Sequence, residues 1–132
     1  MIFAVTDTHA LIWMASDERR VGGRARQLFA SASAGEAQLF VPTLALVEIG
    51  EAVHRGRFSP AAGFDEWVRE LLSAPGFRAV DLTLAIVRRA NGLYAIPERG
   101  DRLLVATALE LGCPLISRDR TIAASGLVAI IW

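Results

Sequence analysis

The sequence of 132 residues predicts an α/β domain with a mainly parallel central sheet. Three observations carry that expectation. Short apolar runs alternate with helical patterns along the whole chain, which is the signature of a sheet covered by helices. The first run, Ile2 to Thr6, is apolar at nearly every position and not at every second one, as in strands buried on both faces. The boundaries carry helix start and stop residues, with Thr43 as an N-cap and Gly35, Gly56 and Gly112 as stops.

The elements follow in order. Ile2 to Thr6 reads as a strand and Thr8 to Ala15 as a helix, with Leu11, Ile12, Trp13 and Met14 apolar in succession. Asp17 to Gly23 is a polar turn. Arg24 to Ser33 is a second helix. Gln38 to Val41 is a strand closed by Pro42, and a helix then runs from Thr43 to about Arg55. Phe64, Trp67, Val68, Leu71 and Leu72 recur at i, i+3, i+4, i+7 and i+8, so Phe64 to Leu72 is an amphipathic helix, ended by Pro75-Gly76. Phe77 to Leu82 reads as a strand and Thr83 to Leu93 as a helix. Pro97 to Gly100 is a loop. Asp101 to Leu111 is a largely apolar helix, Leu115 to Ser117 a short strand, Thr121 to Ala124 one helical turn, and Val128 to Trp132 a last strand.

Length and composition set the limits. Residues 1–132 fit one domain. Lone Cys113 excludes a disulfide framework and a Cys-rich zinc site. The N-terminal stretch lacks the basic region and cleavage site of a signal peptide, and no apolar run approaches a membrane span. These features predict a cytoplasmic protein with no membrane partner. All 14 basic residues are Arg. The missing Lys excludes the Walker A loop, Schiff-base chemistry and Lys-dependent phosphoaspartate sites. A dehalogenase-like phosphatase would also need a second Asp two residues after Asp7, where His9 stands. A formal net charge of zero opposes a broadly basic nucleic-acid binder, but not a local basic groove or a metal-assisted phosphate site.

Four acids stand out by placement. Asp7 follows the first strand and Asp119 the fourth, at carboxyl ends of strands, where open α/β sheets bind ligands. Asp101 opens the apolar helix. Glu48 lies at the edge of the apolar face of the helix from Thr43, with no cation four residues on. Glu51 points away from that face and has Arg55 as an i+4 partner. Plainer readings stand beside each acid: Asp101 and Asp119 as N-caps, Asp7 as a turn residue, Glu48 as a solvated margin. Convergence would instead suit one or two hard divalent cations, which take oxygen ligands.

The chain also resembles a known family. Asp7-Thr8-His9-Ala10-Leu11-Ile12-Trp13 resembles the opening motif of PIN-domain proteins, VapC-type toxins in particular. Val47-Glu48-Ile49, Asp101-Arg102-Leu103-Leu104-Val105-Ala106-Thr107-Ala108 and Ser117-Arg118-Asp119 resemble the later acidic motifs, in the same order. The resemblance implies a PIN-like three-layer α/β/α fold. It implies a metal-dependent endoribonuclease, the toxin of a type II toxin–antitoxin pair, with Asp7, Glu48, Asp101 and Asp119 as catalytic and metal-binding residues. It implies Mg²⁺ or Mn²⁺, one or two ions, an RNA substrate, a cognate antitoxin and a homodimer. The alternatives are a PIN-fold binding module without turnover and a nuclease that is not a toxin.

Two departures mark this chain: Val47 where many relatives have an aromatic, and Glu98-Arg99-Gly100 where many have Asp-Pro. Glu98 is expected to pair with Arg102 at i+4. His9 is expected to be structural, because metal-assisted hydrolysis does not require a His base. His54 is expected on the surface and Cys113 as a small buried residue. Arg99, Arg102, Arg118 and Arg120 flank two of the acids, either to touch phosphates or to balance charge. The apolar helix from Thr8 and the stripe from Phe64 to Leu72 are expected to leave an apolar patch for a partner.

Overall fold

A computed structural model describes residues 1–132. Five parallel strands form one sheet in the order β3-β2-β1-β4-β5, where β1 is Ile2–Thr6, β2 Ala37–Pro42, β3 Phe77–Val80, β4 Leu115–Ile116 and β5 Ile130–Ile131. β1 pairs with β2 through Ala4↔Leu39 and with β4 through Thr6↔Ile116. The order reverses direction at β1, so the crevice between the ends of β1 and β4 is a topological switch point.

Seven helices cover the sheet: α1 Thr8–Ser16, α2 Gly23–Ser33, α3 Thr43–His54, α4 Phe64–Ser73, α5 Leu84–Ala90, α6 Arg99–Leu111 and α7 Arg120–Ser125. Strand alternation sorts the core onto two faces. Ala4, Leu39, Val41 and Ile116 join the larger cluster with Leu11, Phe29 and Ile49. Val5 and Leu115 join a second with Ile96, Leu104, Val105 and Ile122, and Phe40 and Ile130 pack against it. The sheet is thus buried on both sides, which explains the unbroken apolar character of β1. No helix is long and apolar enough to cross a membrane.

Several elements differ from expectation at their ends. β3 stops at Val80, not Leu82; it is an edge strand, and Asp81 and Leu82 run into solvent. α5 is shorter at both ends than Thr83 to Leu93, with Thr83 as its cap: the hydroxyl accepts the Ile86 N–H at 3.2 Å. The polar turn contains a 3₁₀ segment at Glu18–Arg20. α6 starts at Arg99, so Asp101 lies in its first turn and is not its N-cap. α4 has the best sequence periodicity yet no fully buried residue. Its stripe packs sidelong, Phe64 against Gly50 of α3 and Trp67 edge-on to Phe58 with ring centroids 5.3 Å apart.

Candidate metal and phosphodiester site

A cleft of about 750 Å³ opens at the switch point. Asp7, Glu48, Asp101 and Asp119 all line it, together with Glu51 and Glu98. The four acids singled out by placement therefore share one cavity.

Each is positioned by its own element. Asp7 ends β1, and its backbone N–H donates to the Ile116 carbonyl of β4 at 3.1 Å. Its Oδ1 accepts the Ala10 N–H at 2.8 Å and so caps α1. Asp119 caps α7 in the same way, through Ile122 N–H at 2.9 Å, while its own N–H donates to Ser117 Oγ at 3.1 Å. For Asp119 the capping reading holds and does not oppose a place in the cleft, because one carboxylate oxygen serves the helix and the other does not. Glu48 accepts the Thr8 hydroxyl at 2.5 Å, which ties α3 to the first turn of α1. Its Oε2 would lie 3.0 Å from a Cβ at Gly100, so a small residue at that point in α6 gives the Glu48 carboxylate its room beside Asp101.

The electrostatics follow from crowding. Asp101 is pushed up from 3.8 to about 6, first by desolvation, then by the charges of Asp119, Glu98, Glu48 and Asp7. Asp7 is also raised, chiefly by burial; the Ala10 N–H and the Ser117 hydroxyl pull the other way. Carboxylates that raise each other's proton affinity could serve as donors to a cation. All donors are hard oxygens, which fits Mg²⁺ or Mn²⁺ and excludes the thiolate-preferring metals. No three of these side chains stand close enough to ligate one ion together. That spacing suits Mg²⁺, which takes one or two carboxylates directly and keeps several waters.

One expectation is corrected. Glu98 does not pair with Arg102. The Arg102 guanidinium instead donates to the Ile96 and Pro97 carbonyls at 2.9 and 2.7 Å and lies 4.4 Å from the Tyr94 ring centre. Backbone carbonyls freed by the Pro97 loop outcompete an exposed carboxylate, and Glu98 stays on the cleft. Glu51 is exposed, away from the apolar face of α3, and meets Arg55 at 3.9 Å as expected; both residues also line the cleft rim. Arg99 and Arg102 line a separate groove with Tyr94, so of the four flanking arginines only Arg118 lines the acidic cleft.

His9 is exposed on the cleft wall, its ring 5.4 Å from that of Trp13. His54 is exposed, and Cys113 is half-buried with its thiol pushed up by desolvation, so it is a packed residue and not a nucleophile. Sequence reasoning missed Ser117, Thr8 and Arg20 as site residues. For Ser117 and Thr8 the signal was their position beside an acid at a strand end; for Arg20, within a polar turn, there was none.

The fold and the cleft define the class of protein: a doubly covered parallel sheet whose switch point is lined by carboxylates. Residues 4–125 match the PIN domain family, and the chain belongs to that family. It is similar to a protein of Mycobacterium tuberculosis named Ribonuclease VapC22, with 27% identity over 122 residues, 91% of this chain and 89% of the relative. Among solved structures it is similar to VapBC2 of Rickettsia felis bound to a DNA fragment from their promoter (TM-score 0.75, 11% identity, 98% of each chain covered). It is also similar to a toxin–antitoxin complex from Klebsiella pneumoniae (TM-score 0.69, 21% identity, 98% and 96% covered). At such identities these structures establish the fold alone.

Proposed function

We propose that this chain is a metal-dependent endoribonuclease and the toxin component of a type II toxin–antitoxin pair. The observation that carries the nuclease reading is Asp101 crowded by Asp119, Glu98, Glu48 and Asp7 at the switch point. The similarity to a protein named as a ribonuclease supports it. Asp7 and Asp101 would hold the ion most directly, with Glu48 and Asp119 binding a second ion or acting through water. A divalent cation supplies there the charge that lowers the pKa of a water and offsets the phosphate. The protein's own contribution is fixed placement. The Asp7 and Asp119 carboxylates are locked by their caps, and Thr8 holds Glu48.

The toxin reading rests on a second surface. A groove of about 520 Å³ lies between α1, α2 and α4, lined by Leu11, Met14, Phe29, Trp67 and Leu71 among others. The successive apolar residues of α1 are divided between two clefts: Leu11 and Met14 turn to this groove, Ile12 and Trp13 to the acidic one. An amphipathic helix or extended segment of an antitoxin fits such a groove. The similar solved structures are toxin–antitoxin complexes by title, in line with this reading. A homodimer is the proposed minimal assembly, and RNA the substrate.

The test is one assay. Purified protein is incubated with total RNA in Mg²⁺, Mn²⁺ or chelator, beside Asp7→Asn. Cleavage that needs the ion and is lost in the variant is expected. Full activity with chelator, or in Asp7→Asn, would overturn the site assignment.

A further inference from the structure

We propose that Trp13, Arg20 and Arg118 form a wall that grips the RNA phosphodiester chain beside the acidic residues. This rests on the nuclease reading and adds which residues hold the substrate. The ring of Trp13 is a hub on the cleft wall. The Arg20 guanidinium lies 4.2 Å from its centre and that of Arg118 lies 5.7 Å away. Trp132 meets it edge-on at 5.9 Å, and His9 stacks at a tilt. Trp132 is itself seated on Gly22, where a Cβ would meet its ring at 2.6 Å and its backbone more closely still. Residues from α1, the 3₁₀ segment, the β4–α7 loop and the end of the sheet thus converge on one aromatic plane.

Neither arginine is taken up in an ion pair. The ion pairs of the protein join Asp17 to Arg19, Glu51 to Arg55, Glu66 to Arg69 and Glu110 to Arg89; Arg20 and Arg118 are in none of them. Both are exposed and both line the acidic cleft. Cation–π attraction to Trp13 holds Arg20 at 4.2 Å and, more loosely, Arg118 at 5.7 Å, and no ion pair takes up the N–H donors of either. A planar fork with free donors is matched by an anion that accepts two bonds, and a phosphodiester does so. Such cations also meet a physical need, because a bare carboxylate cleft repels the polyanion it is to cleave. Arg118 directly precedes Asp119, so a phosphate held by the wall leaves the adjoining part of the strand at the acids.

The test uses a labelled single-stranded oligoribonucleotide, bound to protein carrying Asp7→Asn with chelator to prevent cleavage, at several salt concentrations. Arg20→Ala and Arg118→Ala are each expected to weaken binding about tenfold at low salt and to lower the log–log salt slope by about one. In the otherwise unsubstituted protein with Mg²⁺, each should raise KM by a larger factor than it lowers kcat. Trp13→Ala should match the two losses combined, and Trp13→Phe should restore most of them. Both arginines are exposed, so their variants fold even if Trp13→Ala does not. Unchanged affinity and slope in both Arg variants would overturn the wall, while RNA cleavage by the parent keeps the nuclease reading. A parent that neither binds nor cleaves RNA overturns both. Arg variants that lose binding to polyglutamate with RNA affinity intact would assign the wall to an acidic polypeptide and overturn the proposal.

Discussion

Replacing Asp101 by Asn should stabilise the protein in the absence of divalent ions, and only above acidic pH. The unfolded carboxyl titrates near its ordinary 3.8, whereas the folded one titrates at about 6. The native state therefore holds the proton more tightly than the unfolded state. Well below pH 3.8 both states are protonated and nothing is lost. As pH rises from 3.8 through 6 the unfolded state ionises freely while the native state would have to ionise a carboxyl among like charges, so stability falls and the loss is complete above 6. At full burial that gap would correspond to ~3 kcal/mol at neutral pH. Asp101 is half-buried, and water screening cuts this to roughly 1–2 kcal/mol. Its side chain makes no hydrogen bond that Asn would break, but removing a charge from the first turn of α6 costs a few tenths to ~1 kcal/mol. The net gain is about 1 kcal/mol, or roughly 3–5 °C in Tm for a domain of this size. The assay is thermal unfolding of parent and variant with EDTA at pH 7.5 and at pH 4.5. The variant should lead at pH 7.5 and the gap should narrow markedly at pH 4.5. Excess Mg²⁺ should raise the parent more than the variant. A variant less stable at pH 7.5, or a gap of the same size at both pH values, would refute the like-charge account.

Other outcomes follow from the same geometry. Asp7→Asn should abolish RNA cleavage yet keep its fold, because the Asn Oδ1 still accepts the Ala10 N–H; Asp7→Ala should lose that cap and about 1 kcal/mol, read by urea denaturation. Glu110→Gln, at the exposed pair with Arg89 and away from the cleft, should retain full activity and lose under ~1 kcal/mol, which makes it a cleaner control than Glu51 on the cleft rim. Ala30→Glu, on the exposed lip of the apolar groove, should leave cleavage intact and weaken capture of the protein encoded beside this one by about tenfold or more. Sedimentation at micromolar concentration should show a species of twice 14.3 kDa; a clean monomer would overturn the dimer.

The parallel layered architecture was legible because it is written locally. β1 is apolar on both faces, and Gly56 and Gly112 mark helix ends through rules that involve only neighbouring backbone groups, whereas Thr43, expected as an N-cap, is the first residue of α3 and makes no capping bond because Pro42 holds the cap position. That Asp7, Glu48, Asp101 and Asp119 could share one cleft was legible for a related reason: strand ends, a helix margin and a helix start are positions that periodicity alone identifies. Element ends were less so, because β3 and β5 stop where neighbouring strands cease to offer partners, a fact absent from their own residues. The tertiary structure alone decided which cleft each remaining side chain enters. Glu98 had a ready i+4 cation in Arg102, but the Ile96 and Pro97 carbonyls took it, and the carboxylate stayed with Asp101. Arg20 sits in a turn without pattern and reaches the site because the chain folds its 3₁₀ segment over Trp13. Local sequence sets which groups a helix or strand presents; the crossover of elements far apart in the chain sets which groups meet, since contact energies between them depend on packing that no short-range periodicity encodes.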